Sequence, residues 1–148
     1  MNTFLPFADF AKSAQTLDRA RLGKQRVEAY QLLLGQWSKH PASKMWKGYE
    51  AALAFYGYTI CLEWIKRGYK DTCWDKLSHA LIHHVETLDA PPWLGDERLH
   101  SSHRAALLHK NTKFYSQYKD WTEEPKLDYF WPVTKEKNYD KTSNRSTI

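Results

Sequence analysis

Arg19-Ala20-Arg21-Leu22-Gly23-Lys24-Gln25-Arg26 sets four cations within eight residues and includes no acid. A helix over about 17 to 37 would place Leu22, Arg26, Ala29 and Leu33 on one face, so Arg26 interrupts an apolar stripe. Arg19 and Gly23 fall on the same side one turn earlier, and a phosphate could approach the bare backbone of Gly23 between two guanidinium groups. Arg21 and Lys24 read as solvated cations, with Lys24 in reach of Glu28 four residues on. For Arg26, whose stem lies in the stripe, phosphate binding competes with a structural ion pair.

Outward from this stretch the pattern is helical throughout. Asp9 is placed to cap a short helix over 10 to 16, and Pro41 suits the first turn of a long helix reaching Arg67 and stopping at Gly68, with Gly48 and Gly57 as bends. Its stripe of Trp46, Leu53, Gly57, Ile60 and Trp64 is interrupted by Glu50. Asp71 or Thr72 caps a fourth helix to Leu88, with Leu77, Leu81, His84 or Val85, and Leu88 facing inward. Asp89-Ala90-Pro91-Pro92-Trp93-Leu94-Gly95 breaks it, and Asp96 caps a fifth helix to about Lys110. Phe114, Tyr115, Tyr118 and Trp121 continue as an aromatic edge. The expectation is an all-α, single-domain bundle of about five helices over residues 1–132, followed by a polar tail, 133–148.

A net charge of +5 favours an anionic partner, and an aromatic content of 15% leaves rings to stack on bases beyond what the core needs. Cys61 and Cys73 follow no metal spacing and read as reduced thiols of a cytoplasmic protein. No signal peptide is evident and no apolar run approaches the length of a membrane span, so no membrane partner is expected, and 148 residues with one core suffice for a monomer.

Glu50 and Glu63 are candidate catalytic carboxylates, because burial near an apolar face raises a carboxyl pKa as proton transfer requires. For Glu50 and Glu63 the competing account is an ion pair with a cation of another helix. On the fifth helix His100, His103, Arg104 and Lys110 share adjoining faces and are candidate phosphate contacts. The two histidines lack a third ligand, so no metal is expected. Phosphate-loop, dinucleotide and serine-nucleophile motifs are absent, and no cofactor is expected. An amine remains as a nucleophile, since a terminal amino group has an ordinary pKa of about 8.

Five motifs then carry a resemblance. They are Thr3-Phe4-Leu5-Pro6, the run Leu17 to Glu28, His40-Pro41 with Met45-Trp46 and Gly48, Glu63-Trp64 with Arg67-Gly68-Tyr69, and Pro91 to Asp96 leading into His100 and His103-Arg104. Over roughly residues 3 to 132 the chain resembles small bacterial and phage proteins grouped with the pyrimidine-dimer DNA glycosylases of the endonuclease V type. The resemblance implies an all-helical domain that binds duplex DNA, cuts the glycosidic bond of a damaged or modified base, and nicks the strand by β-elimination. It also implies a nucleophile in the α-amine of a threonine exposed on loss of the initiator Met, assisted by a glutamate and arginines on the first long helix. Arg26-Val27 matches the family's pair, whereas residue 2 is Asn and Gly23 stands in the glutamate's place. Either the chemistry has moved to Glu28, Glu50 or Glu63, or the chain is a non-catalytic DNA- or nucleotide-binding module. In both cases Arg19, Arg21, Lys24, Arg26, His100, His103, Arg104 and Lys110 are expected to hold DNA, with Trp46 or Trp93 stacking on a base.

Overall fold

Asp9 and Asp96 begin helices because each side chain accepts a hydrogen bond from a first-turn amide, Lys12 N at 3.0 Å and Arg98 N at 3.1 Å. In the computed structural model, which describes residues 1–132, these caps open α1 (Phe10–Thr16) and α6 (Glu97–Lys110). Between them lie α2 (Arg19–Leu33), α3 (Pro41–Trp46), α4 (Glu50–Lys66) and α5 (Trp74–His83), and α7 (Thr112–Tyr115) follows. The described residues are all-α, with no strand. The tail expected at 133–148 lies outside them.

The long helix expected over 41 to 67 is two helices. Gly48 takes a φ of +86°, which stops α3, and its N–H donates to Glu50 Oε2 at 3.1 Å as α4 begins. Gly68, at φ +94°, ends α4 as expected. Asp71 opens α5 by accepting from Cys73 N and Trp74 N at 3.1 and 2.6 Å. The helix stops at His83, five residues short of Leu88, and gives way to a 3-10 turn at Val85–Thr87. Leu77 is buried, but Val85 and Leu88 are about half exposed, against the inward facing expected of them.

Helix α4 is the hub and packs against α1, α2 and α5. Its buried Ala51, Ala52, Ala54 and Gly57 let neighbours approach closely. A Cβ at Gly57 would meet Leu77 Cδ2 at 2.7 Å and Ala29 Cβ at 2.9 Å, so three helices meet over that one hydrogen. Cys61 and Cys73 are buried and unbridged. No helix among the described residues is long and apolar enough to cross a membrane.

Residues Asn2 to Leu5 run through the interior as a buried segment that belongs to no helix or sheet. Buried backbone groups need partners, and here side chains supply them. Phe4 N donates to Gln25 Oε1 at 2.9 Å and Leu5 N to His103 Nδ1 at 2.9 Å. Asn2 O accepts from Gln25 Nε2 at 2.8 Å, Phe4 O from the Tyr56 hydroxyl at 2.8 Å, and Pro6 O from Arg104 at 2.7 Å. Residues 122–131 form a helix-free strap across α6, tied by Lys126 N to Ala105 O at 3.1 Å and by Phe130 N to Ser102 Oγ at 3.1 Å.

Candidate active site

The buried stripe of α2 is Leu22, Gln25, Ala29 and Leu32, one residue round from the stripe anticipated over Leu22, Arg26, Ala29 and Leu33. Both spacings fit a 3.6 period, and the difference decides which polar side chain enters the core. Gln25 does so, and Arg26 moves to the flank. There Arg26 donates to Asp71 Oδ1 at 2.7 Å and to Gly23 O at 3.2 Å, with its guanidinium 4.4 Å from the centre of the Trp64 ring. Burial disfavours the charge on Asp71, but hydrogen bonds from Arg26, Trp74 N and Cys73 N outweigh it and hold the carboxyl below its usual range. Arg26 is therefore a structural ion pair in this conformation. Trp64 also roofs Gly23, lying 3.0 Å from where a Cβ would stand, so the open backbone expected there is closed. Arg19 rests 5.1 Å above Tyr69, which packs on Trp64, and remains exposed.

The opposite side of α2 carries Arg21, Lys24, Gln25 and Glu28 into a cleft of about 230 Å³. Met1, Asn2 and Phe4 form its second wall, Lys110 comes from the end of α6, and Tyr129 from the strap. Burial raises the pKa of Glu28, and the ammonium at Met1, then Lys24 and Lys110, pull it back. One carboxyl and three amines thus share a cleft. Gln25 Nε2 donates to Glu28 Oε1 at 3.0 Å. Arg21 lines the cleft while paired with Asp18 at 3.1 Å, and Asp18 also accepts from the Tyr115 hydroxyl.

The remaining expected residues lie elsewhere. Glu50 sits at the start of α4, and Glu63 pairs with Arg67 at 2.8 Å, so neither lines the cleft. His100 Nε2 accepts from Gly95 N at 3.0 Å, which leaves the ring proton on Nδ1 to bond Leu5 O at 2.8 Å. His103 has the other tautomer. Its Nδ1 accepts from Leu5 N, so Nε2 carries the proton, and it makes no hydrogen bond to Asn2 Nδ2, itself a donor, 3.3 Å away. Burial pulls the His103 pKa down to about 3. Arg104 holds Pro6 O, Glu97 and Glu123. These three residues, expected at phosphates, seat the amino-terminal segment instead. Trp46 and Trp93, expected to stack on a base, are buried edge to face at 4.9 Å, their ring N–H groups donating to Thr3 Oγ1 and Met45 O. Trp46 and Trp93 are core.

Asn2, Gln25 and Tyr129 were not legible as site residues. Tyr129 is partly exposed, and its hydroxyl bonds the Asn2 side chain. The signal for Gln25 was present, since a polar residue on the 22, 25, 29, 32 spacing calls for buried partners. Asn2 and Tyr129 meet only through the tertiary fold.

Comparison with known proteins adds one family. Residues 1–77, from the amino-terminal segment into α5, match a family model described as pyrimidine dimer DNA glycosylase. No curated protein and no solved structure matches the chain.

Proposed function

The chain belongs to the pyrimidine dimer DNA glycosylase family, and from that membership we propose that the cleft removes a damaged base from duplex DNA by attack of an amine. The observation that carries the reading is the meeting of the Met1 amine with a half-buried Glu28 in one cation-lined cleft. The unprotonated amine attacks C1′, and the base departs with the glycosidic electron pair and a proton. The sugar ring opens as O4′ takes a proton, leaving an iminium at C1′. Loss of a proton from C2′ expels the 3′ phosphate oxygen and nicks the strand, and water then frees the sugar and restores the amine. Glu28, whose burial favours the protonated form, supplies the proton to O4′ and accepts one from C2′.

Lys24, Lys110 and Arg21 hold phosphates at the mouth, and exposed Arg19 extends that surface while stacked on Tyr69. Tyr129, an aromatic open to the cleft, takes the stacking role that Trp46 and Trp93 cannot fill from the core. A second reading, a DNA-binding module that does not cut, is favoured by Asn2 and Gly23 at the two departures from the family pattern.

The test is borohydride trapping on duplex DNA with an abasic site. The reading expects a covalent adduct on the peptide that begins at Met1, lost when residues are fused ahead of Met1. Intact DNA binding with no adduct would overturn the amine chemistry and leave the non-cutting module or a glycosylase that acts through water.

A further inference from the structure

We propose that Gln25 is the positioning residue of this site, a buried amide that holds the anchor of the amine and the carboxylate in one frame. The inference rests on the amine and Glu28 acting together, as proposed above. Gln25 is 1% exposed and sits three residues before Glu28 on α2, so its amide lies beside that carboxylate. Both ends of the amide are engaged. At the acceptor end, Oε1 takes Phe4 N–H at 2.9 Å and lies 2.6 Å from the Tyr56 hydroxyl, which shares its proton with Phe4 O. At the donor end, the two Nε2 protons go to Asn2 O at 2.8 Å and Glu28 Oε1 at 3.0 Å.

A primary amide used at both ends cannot rotate without breaking bonds in the interior. Met1 is joined directly to Asn2, whose carbonyl Gln25 holds and whose side chain bonds the Tyr129 hydroxyl. The same Nε2 that fixes this peptide fixes Glu28, so a displacement of one is felt by the other. The requirement is for glutamine specifically. A glutamate of the same shape keeps the acceptor end but offers no proton to Asn2 O or Glu28, and asparagine is one methylene too short to span the two.

The discriminating variant is Gln25→Glu, with Tyr56→Phe as a control that trims only the acceptor end. Trapping rate on abasic duplex, DNA affinity and the Glu28 carboxyl ¹³C titration are measured for wild type and both variants. Gln25→Glu is expected to lower the trapping rate on the order of 10²-fold while DNA affinity falls far less, because Gln25 is buried beneath the cations of the cleft. Its acid limb and the Glu28 titration should both move to higher pH, since the carboxylate loses a donor and gains a like charge. Tyr56→Phe should lower stability and leave the limb in place. A wild-type protein that traps nothing overturns the amine reading, and the titration then still judges Gln25. A folded Gln25→Glu protein with an unmoved Glu28 titration overturns the positioning role, as does a Tyr56→Phe protein whose limb moves equally.

Discussion

Glu28 is held half out of water with three amines around it, and the balance leaves its carboxyl protonating at higher pH than an ordinary glutamate. Glu28→Gln is expected to lower turnover about 10²- to 10⁴-fold while DNA affinity is kept, measured as single-turnover rate against titration binding. The same variant should be more stable than wild type at neutral pH. A raised carboxyl pKa favours the folded state below the ordinary value of 4.5 and loses that advantage as pH rises through the folded pKa, so the gain should shrink on acidification. His103 works in the opposite sense. Its pKa falls from 6.5 to about 3, so the unfolded chain binds the extra proton between those values and stability drops as pH falls through that window. The slope from this residue is about 1.4 kcal/mol per pH unit. His103→Leu, followed by urea melts across that range, should lose this slope and cost about 1–3 kcal/mol at neutral pH, because Leu5 N–H is left unpaired. Glu28 stood out in the sequence, with Asp18, as one of two acids flanking the basic run, whereas the task of His103 depends on a backbone 98 positions away.

Helix α2 divides its charges between two faces, and the division predicts how its variants fail. Removing Arg26 leaves Asp71 buried without its cation, so Arg26→Ala is expected to cost about 3–5 kcal/mol in equilibrium unfolding before any loss of DNA binding is read. At the crossing of α2, α4 and α5, Gly57→Ala should be destabilising by about 1–3 kcal/mol in the same assay. The clash there exceeds the roughly 1 kcal/mol that alanine contributes to an unhindered helix. Helix ends were readable wherever a local device sets them, as at Asp9, Gly68 and Asp96. The break at Gly48 was readable only as a bend, since a positive φ is permitted to any glycine and demanded of none. The facing of α2 was ambiguous by one residue for a similar reason. Leu22 and Ala29 satisfy either stripe, and only the partners waiting in the core, Phe4 N and Tyr56, select Gln25 over Arg26.

At the scale of the molecule, the cations left free on the cleft side set the response to salt. If Lys24 and Lys110 each hold a phosphate, affinity for duplex DNA should fall steeply with ionic strength, and each Lys→Ala change should reduce the slope of log K against log salt by about 1. These changes should leave thermal stability within about 0.5 kcal/mol, because both side chains are exposed. The all-α class was legible because periodicity is a property of each segment alone. The seating of the first residues was not, since a short stretch beginning Met-Asn-Thr-Phe-Leu-Pro shows no pattern that demands burial. That seating has a consequence for the chain as it is made. The groups that grip Leu5 include His100 and His103, separated from it by 95 and 98 positions, so the amino-terminal segment must wait for the middle of α6 to be made. At ordinary synthesis rates of about 5–20 residues per second, the wait is roughly 5–20 s. During it the cleft does not exist, so the meeting of Met1 with Glu28 is a property of the finished fold alone.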